Sequence, residues 1–198
     1  MMWLLLGIIA LVLLGFAAFI LSGKCPMSVE IPKYTTVETQ KNVEIRDYTS
    51  IIVAEVYIPG EREKALKSGC LQLCTYMCKG NAKSQKISMT LPIFQVKKGD
   101  KWGVLLIMPE KETLLSLPAP TNHHIHIKGF QPKRFVALKF SGSTSEENLT
   151  KHSEKLMTFI KEHKLTPVSD PIYAFYNLPW TMSFFKENEV LVEVIRTL

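Results

Sequence analysis

The sequence predicts an α+β domain in which two ββαββ repeats form a distorted antiparallel β-barrel flanked by two helices, behind an N-terminal transmembrane helix. Three observations predict this arrangement. The chain opens with an uncharged apolar run, two similar segments begin 82 residues apart (125 − 43 = 82), and an amphipathic helical pattern follows each segment. We therefore divide the chain into a transmembrane anchor, residues 1–23, and one domain, residues 24–198.

The apolar run from Trp3 to Leu21 contains no charged residue. As a helix it spans roughly 28 Å, close to the thickness of about 30 Å of a bilayer's hydrocarbon core. A cleaved signal peptide is the alternative, but such a peptide begins with basic residues, and none precedes this run. We expect a single-pass membrane protein, and Lys24 and Lys33 after the helix favour a cytosolic domain.

The two repeats begin at Val43–Tyr48 and Ile125–Phe130, and the match continues without a gap to Gly60 and Gly142. Each copy therefore predicts two strands that end at a glycine turn. A helix follows, with one apolar face formed in the first copy by Leu66, Cys70, Leu73, Cys74, Met77 and Cys78, and in the second by Leu149, Leu156, Phe159, Ile160 and His163.

Each copy then returns to strand, over residues 86–94 and 102–108 in the first and 171–178 and 189–195 in the second. Two such units predict antiparallel sheets with one helix each, and a ligand groove near the pseudo-two-fold axis that relates them. The cysteines at helical spacing on the first helix indicate packing in a reducing compartment, not a disulfide framework.

The formal net charge of +6 is spread over residues 24–198 as scattered lysines between apolar strands. A nucleic-acid-binding domain would concentrate this charge in one stripe, so we expect no nucleic-acid partner. A basic surface beside a bilayer is better suited to anionic lipid headgroups or to an acidic ligand.

Several segments resemble the SOUL haem-binding family: Glu30–Tyr34, Val43–Tyr48, Lys86–Ile93 and Tyr176–Thr181. Lys86–Ile93, which reads KISMTLPI, is the most specific of them, and the resemblance covers about residues 29 to 195. It implies a repeat-built barrel with two helices and a hydrophobic cleft for haem or another tetrapyrrole. The chain departs from the family pattern at Lys186-Glu187, where two arginines are usual.

Haem needs an apolar slot for its macrocycle and cations for its propionates. The resemblance directs us to candidate cofactor-binding residues near the first helix and the cleft, namely Arg62, Lys64, Lys67, Met89, Tyr176 and Trp180. A solvated helix face also explains the three cations, and fold packing also explains the other three residues.

A histidine run, His123-His124-Ile125-His126, suggests a metal site, with His124 and His126 as candidate ligands because alternate residues of a strand project to the same side. The repeat aligns Ile125 and Ile127 with the inward positions Val43 and Ile45. The two histidines should therefore face outward, to solvent or to a groove.

No nucleophile with a paired base, no pair of carboxylates and no phosphate-binding glycine motif is recognisable in the sequence. This absence predicts a non-catalytic protein. The resemblance to the SOUL family, with the candidate cations and the predicted anchor, implies a membrane-anchored carrier or buffer of haem or porphyrin. The alternative is a ligand-sensing or protein-interaction module of gyrase-inhibitor-like architecture.

Overall fold

A computed structural model describes residues 29–177 and 186–196. Within them the strands and helices follow in this order: β1 (Val29–Glu30), β2 (Thr35–Gln40), β3 (Val43–Tyr48), β4 (Ile51–Pro59), α1 (Arg62–Met77), β5 (Met89–Thr90), β6 (Ile93–Lys98), β7 (Lys101–Ile107), β8 (His126–Phe130), β9 (Lys133–Ser141), α2 (Glu146–Glu162), β10 (Ile172–Phe175) and β11 (Glu187–Val194). The predicted unit of two strands, a helix and two strands thus occurs twice, as β3-β4-α1-β6-β7 and β8-β9-α2-β10-β11.

Nine strands form one antiparallel sheet in the order β2-β3-β9-β11-β10-β6-β7-β4-β8. The prediction of an α+β fold with two helices on an antiparallel sheet is confirmed, but the prediction of a barrel is wrong, because the described sheet is open between β2 and β8. β2 belongs to neither repeat and pairs with the outer edge of β3. Since β2 takes up the backbone groups of that edge, β3 is not available to pair with β8.

The repeats exchange strands. β3 of the first repeat pairs with β9 of the second, and β8 of the second pairs with β4 of the first. The registers of the two pairings are equivalent. Ile45 lies opposite Val136, and Ala54 lies opposite Ile127. Ile127 is the repeat counterpart of Ile45, and Val136 is that of Ala54, each at the offset of 82 residues (127 − 45 = 82; 136 − 54 = 82). Apart from β2, the order of the eight repeat strands is therefore equivalent from both ends, with a pseudo-two-fold axis between β10 and β6.

Glycines at the same place in both repeats make the turns that lead into the helices. Gly60 has φ of 98° and Gly142 has φ of 103°, in the left-handed region that favours glycine. The turn prediction is confirmed. The strand predicted over residues 86–94 is shorter than expected, because Pro92 has no N–H to donate and separates the two-residue β5 from β6.

Both helices cover the same face of the sheet. α1 packs on β4 and β7, and α2 packs on β9 and β11. Their side chains share one buried cluster with alternate strand residues, including Val56, Val104, Leu138, Val192, Leu73 and Leu156. Cys70 is buried in this cluster and Cys74 is half-buried against it, which agrees with the packing role expected for them. The other face carries no helix in the described residues, and we call it the open face.

No helix among the described residues is long and apolar enough to cross a membrane. The predicted anchor, residues 1–23, lies outside the described residues, so the transmembrane helix and the domain boundary stay predictions.

Deleting residues 1–23 is expected to leave a folded, soluble domain, because side chains of both repeats form a shared core within residues 29–196. The measurement is thermal unfolding of the truncated chain by circular dichroism, which should show one cooperative transition. A truncated chain that aggregates, or that melts without a transition, would place the boundary elsewhere.

Candidate functional site

Two cavities share Asn188 at the end of the sheet where β9 ends and β11 begins, and we call them together the terminal groove. The larger cavity, of about 510 Å³, is lined by Ile31, Tyr34, Lys139, Phe140, Ser141, Tyr176, Glu187, Asn188 and Glu189. The smaller, of about 210 Å³, is lined by Glu63, Leu66, Lys67, Ser143, Thr144, Phe175, Asn177, Lys186 and Asn188. Small-molecule sites usually measure about 300 to 1,000 Å³, so the larger cavity has a suitable size by itself, and the smaller cavity adjoins it at Asn188.

The larger cavity is the aromatic half of the terminal groove. The hydroxyl of Tyr176 donates a hydrogen bond to Oε2 of Glu189 at 2.9 Å. Burial, followed by the charge and the hydrogen bond of Glu189, raises the pKa of Tyr176 above its ordinary value. Tyr176 therefore stays protonated at neutral pH, so its hydroxyl donates to Glu189 and its ring face is offered to a ligand.

A buried ion-pair network holds this half in place. Arg46 is fully buried, and its Nη1 and Nη2 donate to Glu189 at 2.8 and 2.7 Å while its Nε donates to Glu44 at 2.8 Å. Its guanidinium also lies 4.4 Å from the centre of the Tyr34 ring. Burial alone would lower the pKa of Arg46, but the hydrogen bonds and charge of Glu189 raise it, so the cation persists. The network thus holds Tyr176 through the carboxylate of Glu189 and Tyr34 through the guanidinium of Arg46.

We did not predict the Arg46 network from the sequence, although a signal was present. Val43 and Ile45 of β3 face inward, so Glu44 and Arg46, which alternate with them, lie together on the opposite face. An acid and a base at this spacing are close enough to form an ion pair. The partner Glu189 was not foreseeable, because β9 lies between β3 and β11.

The smaller cavity is the cationic half. Lys67 is exposed on α1 and lines it together with the apolar side chains of Leu66 and Phe175. Arg62 lies behind the wall, where its guanidinium donates to Oε1 of Gln95 at 3.3 Å and to the carbonyl of Thr144. Burial lowers the pKa of Arg62. Arg62 therefore supports a wall of the groove through Thr144, while Lys67 is directly accessible to a ligand.

The other predicted cofactor-binding residues lie elsewhere. Lys64 is exposed and pairs with Glu61 at 2.9 Å. Met89 is buried in the short β1–β5 ladder against the core, and it does not line the terminal groove. Trp180 lies outside the described residues. Asn177 and Lys186, the described residues on either side of it in the sequence, line the smaller cavity. Its role stays a prediction.

The candidate metal ligands His124 and His126 are exposed, and Ile125 between them is buried, so the predicted inward and outward alternation is observed. His126 lies on β8, separated from β11 by β10, β6, β7 and β4. Among residues 29–177 and 186–196 there is no group of three or more His, Cys, Asp or Glu side chains placed to hold a metal ion. The histidines are thus remote from the terminal groove, and a metal role for them stays a prediction.

Near the pseudo-two-fold axis, where the repeat predicted a ligand groove, the open face has an apolar cleft of about 140 Å³. An engineered cavity of about 150 Å³ accepts benzene, so a cleft of this volume does not enclose a tetrapyrrole. The terminal groove is therefore the better candidate for a ligand of that size.

A model of the family described as SOUL heme-binding protein matches residues 29–193. A search among curated proteins finds no match.

Several solved structures share the fold. One is a hydrolase from Listeria innocua, at 14% sequence identity and a TM-score of 0.55, with 80% of this chain and 94% of that chain covered. Another is the C-terminal domain of EcmrR, at 12% identity and a TM-score of 0.54, with 83% and 99% covered. A third is EcmrR in a DNA complex, at 11% identity and a TM-score of 0.59, with 78% and 57% covered. At these identities the likeness concerns the fold alone.

Proposed function

Because the chain belongs to the SOUL haem-binding family, we propose that it is a non-catalytic carrier or buffer of haem or another tetrapyrrole, tethered to a membrane by residues 1–23. The family match over residues 29–193 carries this proposal. A membrane anchor suits the ligand, since porphyrins are hydrophobic and partition into lipid.

The terminal groove is the site we propose for the tetrapyrrole. Its aromatic half offers the rings of Tyr34, Phe140 and Tyr176 to a flat apolar macrocycle, and its cationic half offers Lys67 to a propionate. Its described lining contains no His, Cys or Met, the usual axial ligands besides tyrosinate. The fit is therefore to the macrocycle and its carboxylates, and iron would not be required for binding.

Lys67→Glu is expected to weaken haem binding about tenfold. A charge-assisted contact contributes about 1.5 to 3 kcal/mol when well formed and less when exposed, and about 1.4 kcal/mol corresponds to a factor of ten. The measurement is a titration of the full-length chain with haem, followed by the Soret absorbance. Iron-free protoporphyrin should bind with similar affinity.

Lys64→Glu is the matched control, since it makes the same charge change on the same helix outside the groove. It should weaken haem binding clearly less than Lys67→Glu does, because Lys64 does not line the groove, and solvent and salt screen an exposed charge that makes no direct contact with the ligand. Equal losses in both variants would mean that only the net charge matters. Binding that disappears when His123, His124 and His126 are replaced by alanine would favour an axial-ligand model at β8 instead.

The second candidate is a ligand-sensing or protein-interaction module. The fold shared with the C-terminal domain of EcmrR and the small apolar cleft on the open face favour it. A wild-type chain that binds no tetrapyrrole at micromolar concentration, a binding free energy of about −8 kcal/mol, would make this candidate the better one.

A further inference from the structure

The cleft on the open face is separate from the terminal groove, with which it shares no lining residue. Its walls are aliphatic and aromatic, and include Val53, Phe94, Leu105, Phe130, Phe135 and Leu191. All lie on the strand face opposite the helices, and the cleft measures about 140 Å³. A volume of this size suits a molecule about as large as benzene.

The pseudo-two-fold axis relates the two sides of the cleft. With the offset of 82 residues, Tyr48 corresponds to Phe130 and Val53 corresponds to Phe135, and all four line the cleft (130 − 48 = 82; 135 − 53 = 82). The symmetry is broken by charge at two positions. Lys133 corresponds to Ile51 at the same offset (133 − 51 = 82). Glu193 lies opposite Phe135 in the sheet, and Ile107 lies opposite Val53. Since Phe135 and Val53 are counterparts, Glu193 corresponds to Ile107.

These two charged residues neutralise each other. Nζ of Lys133 lies 2.5 Å from Oε2 of Glu193, with the two side chains 28% and 22% exposed, and Nζ also lies 5.6 Å from the centre of the Phe130 ring. No other charged residue of the described chain lines the cleft. Isoleucines occupy the equivalent positions of the first repeat, so the fold itself does not require an ion pair there, and partial burial of such a pair carries a desolvation cost.

We propose that the cleft is a second ligand site, for a small neutral amphiphile such as a branched or aromatic alcohol, and that the Lys133–Glu193 ion pair determines its selectivity. The apolar walls bury the hydrocarbon part of the ligand, and its hydroxyl accepts from Lys133 or donates to Glu193. Organic cations are excluded because Lys133 already occupies Glu193. Organic anions are excluded because Glu193 already occupies Lys133.

A matched set of three probes tests the proposal: 3,3-dimethylbutan-1-ol, its cationic analogue choline, and its anionic analogue 3,3-dimethylbutanoate. The measurement is methyl NMR of the full-length chain. The alcohol should produce saturable shifts at Ile51, Val53, Leu105 and Leu191, with none at Val56 or Leu138 on the helix-covered face. Choline and the carboxylate should bind at least several-fold more weakly, and equal binding of all three, or no saturable shift at the cleft, would overturn the proposal.

Lys133→Met tests the role of the ion pair. Glu193 is then unpaired among the rings of Tyr48, Phe94 and Phe130, an environment that favours a quaternary ammonium. The ratio of alcohol to choline affinity should fall about tenfold. The control is Lys98→Met, which removes another exposed lysine of the open face that lies over the Tyr57 ring outside the cleft, and this variant should keep the wild-type ratio.

A second variant keeps the test independent of how well Lys133→Met folds. Glu193→Gln leaves Lys133 as the unpaired charge, and the variant should prefer 3,3-dimethylbutanoate to the alcohol while still excluding choline. Ratios that stay at the wild-type value in both variants would remove the ion pair from the selectivity. Because the cleft and the terminal groove share no lining residue, haem binding should be unchanged in both variants.

Discussion

Replacing Arg46 with methionine is expected to lower the free energy of unfolding by about 3 to 5 kcal/mol, the usual range when one partner of a buried ion pair is removed. Glu189, which is 2% exposed, would lose both of its guanidinium contacts and would keep only the hydroxyl of Tyr176. Chemical denaturation followed by far-ultraviolet circular dichroism measures this loss.

Two comparisons separate the network from a general charge effect. Lys64→Met removes a cation from an exposed pair and should cost at most about 1 kcal/mol. Arg46→Met combined with Glu189→Leu should recover part of the loss, because no buried charge is then left without a partner. A loss below about 1 kcal/mol for Arg46→Met alone would contradict the buried network.

Replacing Gly69 with valine is expected to lower the free energy of unfolding by about 2 to 3 kcal/mol, because α1 approaches β7 without space for a side chain. A Cβ at Gly69 would lie 2.6 Å from Cβ and Cγ2 of Val104, and an overfilled core typically costs about 1 to 3 kcal/mol. Thermal or chemical unfolding measures this change.

Ser68→Val is the control for Gly69→Val, since it adds a similar side chain at the neighbouring exposed position of α1 and should change the free energy of unfolding by less than about 1 kcal/mol. If Gly69→Val were as stable as Ser68→Val, the close approach of α1 to β7 would be wrong.

Local patterns in the sequence predicted the local features of the fold. The 82-residue offset located both pairs of strands, Gly60 and Gly142 marked the turns, and alternation placed Ile125 inward. The barrel was wrong because β2 lies outside the repeat and occupies the edge of β3, which the repeat pattern alone does not show. The exchange of β3 and β8 between repeats is likewise a non-local pairing.

The candidate site was only partly predictable for the same reason. We grouped Arg62 with Lys64 and Lys67 as an accessible cation, but Arg62 is buried. Its position four residues before Leu66 was a signal that we did not use, since residues at this spacing share one side of a helix. Lys67 lines the terminal groove. Tyr176 was placed near the cleft by resemblance. Its partner Glu189 and the Arg46 network depend on strand order, which no local pattern of the sequence encodes.

The most direct test of the proposed tetrapyrrole site is NMR of the full-length chain with ferric haem, whose unpaired electrons broaden the resonances of nearby groups. We predict that signals of Leu66, Phe175 and Tyr34 in the terminal groove disappear as haem is added, while those of Ile51 and Val53, on the part of the open-face cleft farthest from β11, remain. Broadening confined to the cleft or to the histidines around β8, or no saturable change at micromolar haem, would contradict this site.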